Sequence, residues 1–109
     1  MNFLNFITRA SEKTFVSGQI EQLVKDLPPM LIAGGRGKVS VNKITRHLER
    51  VYTAASDFKD ERHIGFVGRA VMANTFKWGL KEASYPDDFV DMATEGLVVA
   101  LSKLKPLNK

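Results

Sequence analysis

Apolar residues recur at helical spacing between residues 41 and 58. On one side of a helix drawn through this segment lie Val41, Ile44, Leu48, Val51, Tyr52, Ala55 and Phe58. On the other side lie Lys43, Arg46, His47 and Arg50. A charged face opposite an apolar face is typical of a helix that covers a protein core. The pattern therefore predicts an amphipathic helix over 41–58, whose start Ser40 or Asn42 can cap.

Two further amphipathic segments are bounded by residues that start or end helices. Residues 11–27 have apolar positions at helical spacing and stop before Pro28, because proline disfavours helical geometry in the residue that precedes it. Residues 86–104 begin with Pro86, which suits the first turn of a helix. Residues 29–33 fit a single helical turn that ends at Gly34. The sequence thus predicts two more long helices and one short one.

The segment 63–83 is apolar on most of its sides. Its predicted buried seam consists of Ile64, Val67, Val71 and Trp78. Three large apolar residues lie off this seam: Phe66, Phe76 and Leu80. A helix that is apolar nearly all round is usually covered by several neighbours, so we expect it to be central and flanked by the helices at 41–58 and 86–104. The predicted fold is an all-α, single-domain bundle of four to five helices over residues 1–109.

The composition is that of a globular domain, and it restricts the available chemistry. Hydrophobic residues make up 44% of the chain and charged residues 26%, which is too apolar for disorder and too charged for a membrane protein. The chain has no cysteine, so disulfides, thiolate catalysis and cysteine-based zinc sites are excluded. No apolar run approaches the roughly 20 residues that cross a bilayer, and the N-terminus lacks the basic start of a signal peptide. We expect a cytoplasmic protein with no transmembrane segment and no cofactor.

The net charge of +4 is unevenly distributed along the chain. Residues 36–50 hold five bases and one acid, whereas residues 82–95 hold five acids and no base. The basic segment starts in a glycine-rich loop that lacks the spacing of a phosphate-binding loop. Its candidate contacts to an anion or a nucleic acid are Arg36, Lys38, Lys43, Arg46, His47 and Arg50. Such side chains bind phosphates and guanine edges, so nucleic-acid binding is one hypothesis for function.

An acidic patch occupies the first half of the last predicted helix: Asp87, Asp88, Asp91 and Glu95. The first two complement the positive end of the helix dipole without any ligand. The chain has neither the Glu-x-x-His pairs of a bundle that binds two metal ions nor the loop signature of a calcium site. Neither His47 nor His63 lies in a nucleophile motif. We predict no metal site and no catalytic residue, and therefore a protein that is not an enzyme.

The chain has more large apolar residues than the interior of a small bundle requires. Those predicted to stay exposed and to form an apolar interface are Phe3, Phe6, Ile7, Phe66, Phe76 and Leu80. A two-fold homodimer is the commonest way to cover such a surface. The leading hypothesis is a small helical interaction or regulatory module that self-associates or binds another protein. The alternative is a nucleic-acid-binding protein that uses residues 36–50.

Overall fold

The computed structural model describes residues 10–34 and 39–103. Within these ranges the chain forms five helices and no strand. In chain order they are α1 (Ala10–Asp26), α2 (Pro29–Gly34), α3 (Val41–Glu61), α4 (Phe66–Glu82) and α5 (Asp87–Ser102). The predicted all-α bundle of four to five helices is confirmed.

Local sequence determines where α3 begins. The Ser40 side-chain oxygen accepts a hydrogen bond from the backbone N–H of Lys43 at 3.1 Å. This bond satisfies one of the N–H groups that a helix start leaves without a partner, and it confirms Ser40 as the cap. The helix continues past its predicted end at Phe58 as far as Glu61.

The four long helices form a ring in which each packs on two neighbours. Helix α1 packs on α3 and α4, and α5 packs on the same two helices. Consequently α3 and α4 lie diagonally across the bundle, although only a short turn connects them. The prediction that α5 flanks the 63–83 helix is confirmed, but the prediction that the 41–58 helix flanks it is wrong, because α1 takes that place.

Helices α3 and α5 run in the same direction and are joined by two hydrogen bonds. The Tyr52 hydroxyl donates to the carbonyl of Ala93 at 2.8 Å, in the middle of both helices. The Lys59 amine donates to the carbonyl of Lys103 at 2.7 Å and lies 2.9 Å from Asp60 Oδ1. Lys59 is buried, and a buried ammonium group needs such partners. Its amine therefore supplies a hydrogen-bond donor at the C-terminal end of α5, where the carbonyls of a helix have no partner within the helix.

Helix α1 runs antiparallel to α3 and parallel to α4. Phe15, near the start of α1, stacks on Phe58, near the end of α3, with 4.3 Å between the ring centroids. At the opposite end of the bundle, the hydroxyl of Tyr85 donates to the carbonyl of Leu27 at 2.7 Å. Burial raises the pKa of Tyr85, and likewise that of Tyr52, to about 12. Both hydroxyls therefore stay protonated as donors at physiological pH.

One stripe of α4 faces the core, and it is not the stripe predicted from the sequence. The buried residues of α4 are Gly68, Met72, Phe76 and Leu80. Val67 and Trp78 of the predicted seam are instead exposed, and Val71 is only half-buried. The predicted seam is therefore wrong. The stripe that is covered depends on where α1 and α5 pack, and a helix that is apolar on most sides does not reveal this.

Helix α4 ends with a non-glycine residue in the left-handed conformation. Ser84 has a φ of 79°. Its backbone N–H donates to the carbonyl of Lys81 at 3.0 Å. The next N–H, that of Tyr85, donates to the carbonyl of Leu80 at 3.2 Å. These two bonds form a Schellman motif, in which the left-handed position favours glycine because a Cβ is strained there.

Replacing Ser84 with glycine is expected to raise the free energy of unfolding by about 1 kcal/mol, because glycine adopts the left-handed conformation without the cost that a Cβ imposes. The control is Ser84→Ala, which keeps the Cβ and should leave stability nearly unchanged. Urea denaturation followed by circular dichroism measures both variants. A glycine variant no more stable than the alanine variant would contradict the strain assigned to this turn.

Candidate functional site

Four of the eight large apolar side chains that are exposed among the described residues lie on the outer side of α4 and the neighbouring edge of α5. Phe66 is 77% exposed and Trp78 54%, while Val67 and Val98 are each 46% exposed. The Trp78 side chain is held along α4, since its indole N–H donates to Asn74 Oδ1 at 3.1 Å. Neighbouring exposed apolar side chains are typical of a surface that contacts another molecule.

A groove runs between α4 and α5, and of these four residues Phe66 and Val98 line it. Its volume is about 460 Å³. We call it the α4–α5 groove, and its lining consists of Phe66, Arg69, Ala70, Ala73, Asn74, Lys77, Thr94, Val98, Leu101 and Ser102. Small residues at Ala70 and Ala73 leave room between the two helices. The dimensions and the largely apolar lining suit a partner side chain or helix that lies along the groove.

The charged residues of the groove all lie on α4 and are all basic. Arg69 donates from Nη1 to the carbonyl of Ile64 at 3.2 Å, which leaves most of its N–H groups available. Lys77 is half-buried two turns further along α4. On the α5 wall, the Thr94 hydroxyl is buried and has no hydrogen-bond partner in the part of the chain that the structure describes. It therefore adds no polar atom to the surface of the groove.

The four residues of the predicted acidic patch are all exposed on α5. Asp87 lies 3.4 Å from the Lys81 amine, and Asp88 Oδ1 accepts a hydrogen bond from the backbone N–H of Phe89 at 2.8 Å. Asp91 and Glu95 make no hydrogen bond or ion pair within 10–34 and 39–103. No group of three or more residues able to hold a metal ion occurs among the described residues.

The predicted basic face of α3 is partly neutralised by α1. The guanidinium of Arg50 lies 2.6 Å from Asp26 Oδ2 and 3.1 Å from His47 Nδ1. The hydrogen bond from Gln22 and the charge and hydrogen bond of Arg50 hold the pKa of Asp26 below its usual value. Lys43 and Arg46 are exposed and have no carboxylate partner among the described residues, whereas Arg50 is exposed but paired. The predicted contacts Arg36 and Lys38 lie outside the described residues.

The structure shows which described members of the predicted apolar interface are exposed. Phe66 is exposed as expected, whereas Phe76 and Leu80 are completely buried, so the prediction for these two is wrong. They lie on the stripe of α4 that faces the core rather than on its outer side. The remaining predicted members, Phe3, Phe6 and Ile7, lie outside the described residues.

Sequence reasoning did not find the α4–α5 groove. It requires α4 and α5 to turn particular sides toward each other, and this depends on the whole ring of helices. The signal available in the sequence was the pair of small residues Ala70 and Ala73, one turn apart and flanked by Arg69 and Lys77.

Among the described helices, none is both long enough and apolar enough to cross a bilayer. Comparison of the chain with protein-family models, with curated proteins and with solved structures finds no match.

Proposed function

We propose that this protein is a small, non-enzymatic helical interaction module that associates with a second copy of itself through the α4–α5 groove. The observation that carries this proposal is the apolar groove, whose rim holds the exposed side chains of Phe66 and Val98. A helix that enters such a groove removes apolar surface from water on both partners. Because each copy presents the same groove, a two-fold pair covers both surfaces at once.

Nucleic-acid binding through the basic face of α3 has weaker support. Asp26 pairs with Arg50, so that guanidinium is already matched by a carboxylate of the same chain. Binding to a phosphate backbone depends on several unpaired bases close together, and affinity falls steeply with salt as their number rises. Among the described residues, Lys43 and Arg46 are the two unpaired bases of this face, and two such bases favour nucleic-acid binding less than the groove favours self-association.

Replacing Ala70 with arginine is expected to weaken self-association about thirtyfold or more, because loss of the contacts at the centre of an interface typically costs about 2 kcal/mol. Ala70 is exposed on the groove wall, so the larger side chain can fill the groove without disturbing the core. Sedimentation velocity over a wide range of protein concentration, at low and at high salt, measures the association.

The matched control is Ser17→Arg, which makes the same change in charge at an exposed position of α1 outside the groove. It should associate like the unmodified protein. A wild-type protein that stays monomeric at every concentration, or an Ala70→Arg variant that associates normally, would contradict the proposed function. The absorbance spectrum of the purified protein, recorded in parallel, shows whether nucleic acid is bound.

A further inference from the structure

We infer that the occupant of the α4–α5 groove is helix α5 of a second copy, running parallel to α4, with its Asp91 and Glu95 paired to Arg69. This inference rests on the proposed self-association. Beyond self-association, it specifies which helix enters the groove, in which direction that helix runs and which charges fix its position. Three observations lead to it.

The first observation is the charge of the groove. Its wall on α4 carries Arg69 and Lys77, and its described lining contains no carboxylate. An occupant that brings only apolar side chains would bury part of the Arg69 guanidinium against an uncharged neighbour, which is unfavourable for a charged group. A helix with apolar residues and with acids along one edge can cover the apolar lining of the groove and also pair with the bases of α4.

The second observation is that α5 itself has this combination. Asp91, Glu95 and Val98 follow one another at helical spacings of four and three residues and thus share a stripe. Val98 is exposed at the rim of the groove. The two acids continue its stripe toward the start of α5, are exposed, and have no partner in the described part of the chain. The stripe offers an apolar contact and two unpaired carboxylates together.

The third observation is the direction of the helices. The turn at 83–86 makes α5 antiparallel to α4. A two-fold axis perpendicular to α5 reverses the second α5, which then runs parallel to the first copy's α4. Its first half, with Asp91 and Glu95, comes to lie beside the first half of α4, which contains Arg69. An axis parallel to α5 would instead bring the acids of the two copies together, and this repulsion disfavours it.

A charge-swap experiment tests the pairing. The first variant is Arg69→Glu, and the second is Asp91→Lys combined with Glu95→Lys. Each alone should self-associate about tenfold or more weakly, because like charges then face each other at both ends of the two-fold interface. Mixed in equal amounts, the two variants should form a mixed dimer with close to wild-type affinity. In that dimer one pair of charges is native and the other is reversed.

Two controls keep the result interpretable. Lys13→Glu makes the same change in charge as Arg69→Glu at an exposed position of α1, and it should associate normally. Arg69→Gln removes the charge without reversing it, and it should have an intermediate effect. Circular dichroism verifies that each variant keeps its helical content. Sedimentation velocity on each variant, with one of the two labelled in the mixture, measures the association.

The outcomes separate this inference from the proposed function. Restoration of a dimer only in the mixture supports the pairing of Arg69 with Asp91 and Glu95. Reversed variants that associate like the wild type overturn the pairing, as do weakened variants that do not complement each other. In both cases, self-association that is lost in Ala70→Arg would still support the groove. A wild-type monomer overturns the proposed function and the pairing together.

Discussion

Replacing Phe76 with alanine is expected to lower the free energy of unfolding by about 3–5 kcal/mol, which is the usual cost of removing a fully buried phenylalanine. The Phe76 side chain has no solvent exposure and lies on the stripe of α4 that faces the core. In a domain whose total stability is about 5–10 kcal/mol, such a loss should lower the melting temperature by at least about 10 °C.

The matched control is Trp78→Ala, two residues further along the same helix. Trp78 is 54% exposed, and its polar and charge contacts are to Asn74 and Lys81 of its own helix. Its removal should cost no more than about 1 kcal/mol. Both measurements need low protein concentration, because self-association would otherwise add to stability. If the tryptophan variant were the less stable of the two, the packing of α4 described above would be wrong.

Replacing Gly96 with alanine is expected to lower the free energy of unfolding by about 1–2 kcal/mol, even though alanine favours helices. A Cβ at Gly96 would overlap with the Tyr52 hydroxyl and lie 2.6 Å from Tyr52 Cζ. The ring would have to move, and its hydrogen bond to Ala93 would be lost. Thermal and urea denaturation measure the change.

Gly18 provides the opposite case within the same molecule. It lies inside α1, and a Cβ there would meet nothing within 4 Å. Gly18→Ala should therefore stabilise the protein by about 0.5–1 kcal/mol. A second control combines Gly96→Ala with Tyr52→Ala, which removes the overlap and should make the alanine at 96 harmless. A destabilising effect that persisted in this background would show that Tyr52 is not its cause.

The sequence predicted the helices well because their boundaries are local. The serine cap at Ser40, the proline after α1, the proline before α5 and the regular spacing of apolar residues all act within a few positions. Even the glycines of α4 were informative, since Ile20 of α1 lies directly over Gly79, where a Cβ would overlap with its Cδ1. Such a close approach is what a glycine within a helix indicates.

The sequence could not predict which side of α4 is buried or which charges are paired. On α4 the stripe with Val67 and Trp78 is as apolar as the one with Met72 and Phe76, so only the positions of α1 and α5 decide between them. The pairing of Arg50 with Asp26 joins residues 24 positions apart on different helices. It offsets one of the three positive charges that Lys43, Arg46 and Arg50 give this face, and no local sequence pattern predicts such a pairing.

The parallel packing of α1 on α4 and of α3 on α5 has a consequence for synthesis on the ribosome. Parallel helices cannot be joined by a tight turn, so their contacts close long loops; Leu27 and Tyr85, for example, are 58 residues apart. When α1 and α3 have emerged, the surfaces that will cover α4 and α5 are still open to water. The core formed by the described helices is completed only when α5, the last of them, leaves the exit tunnel.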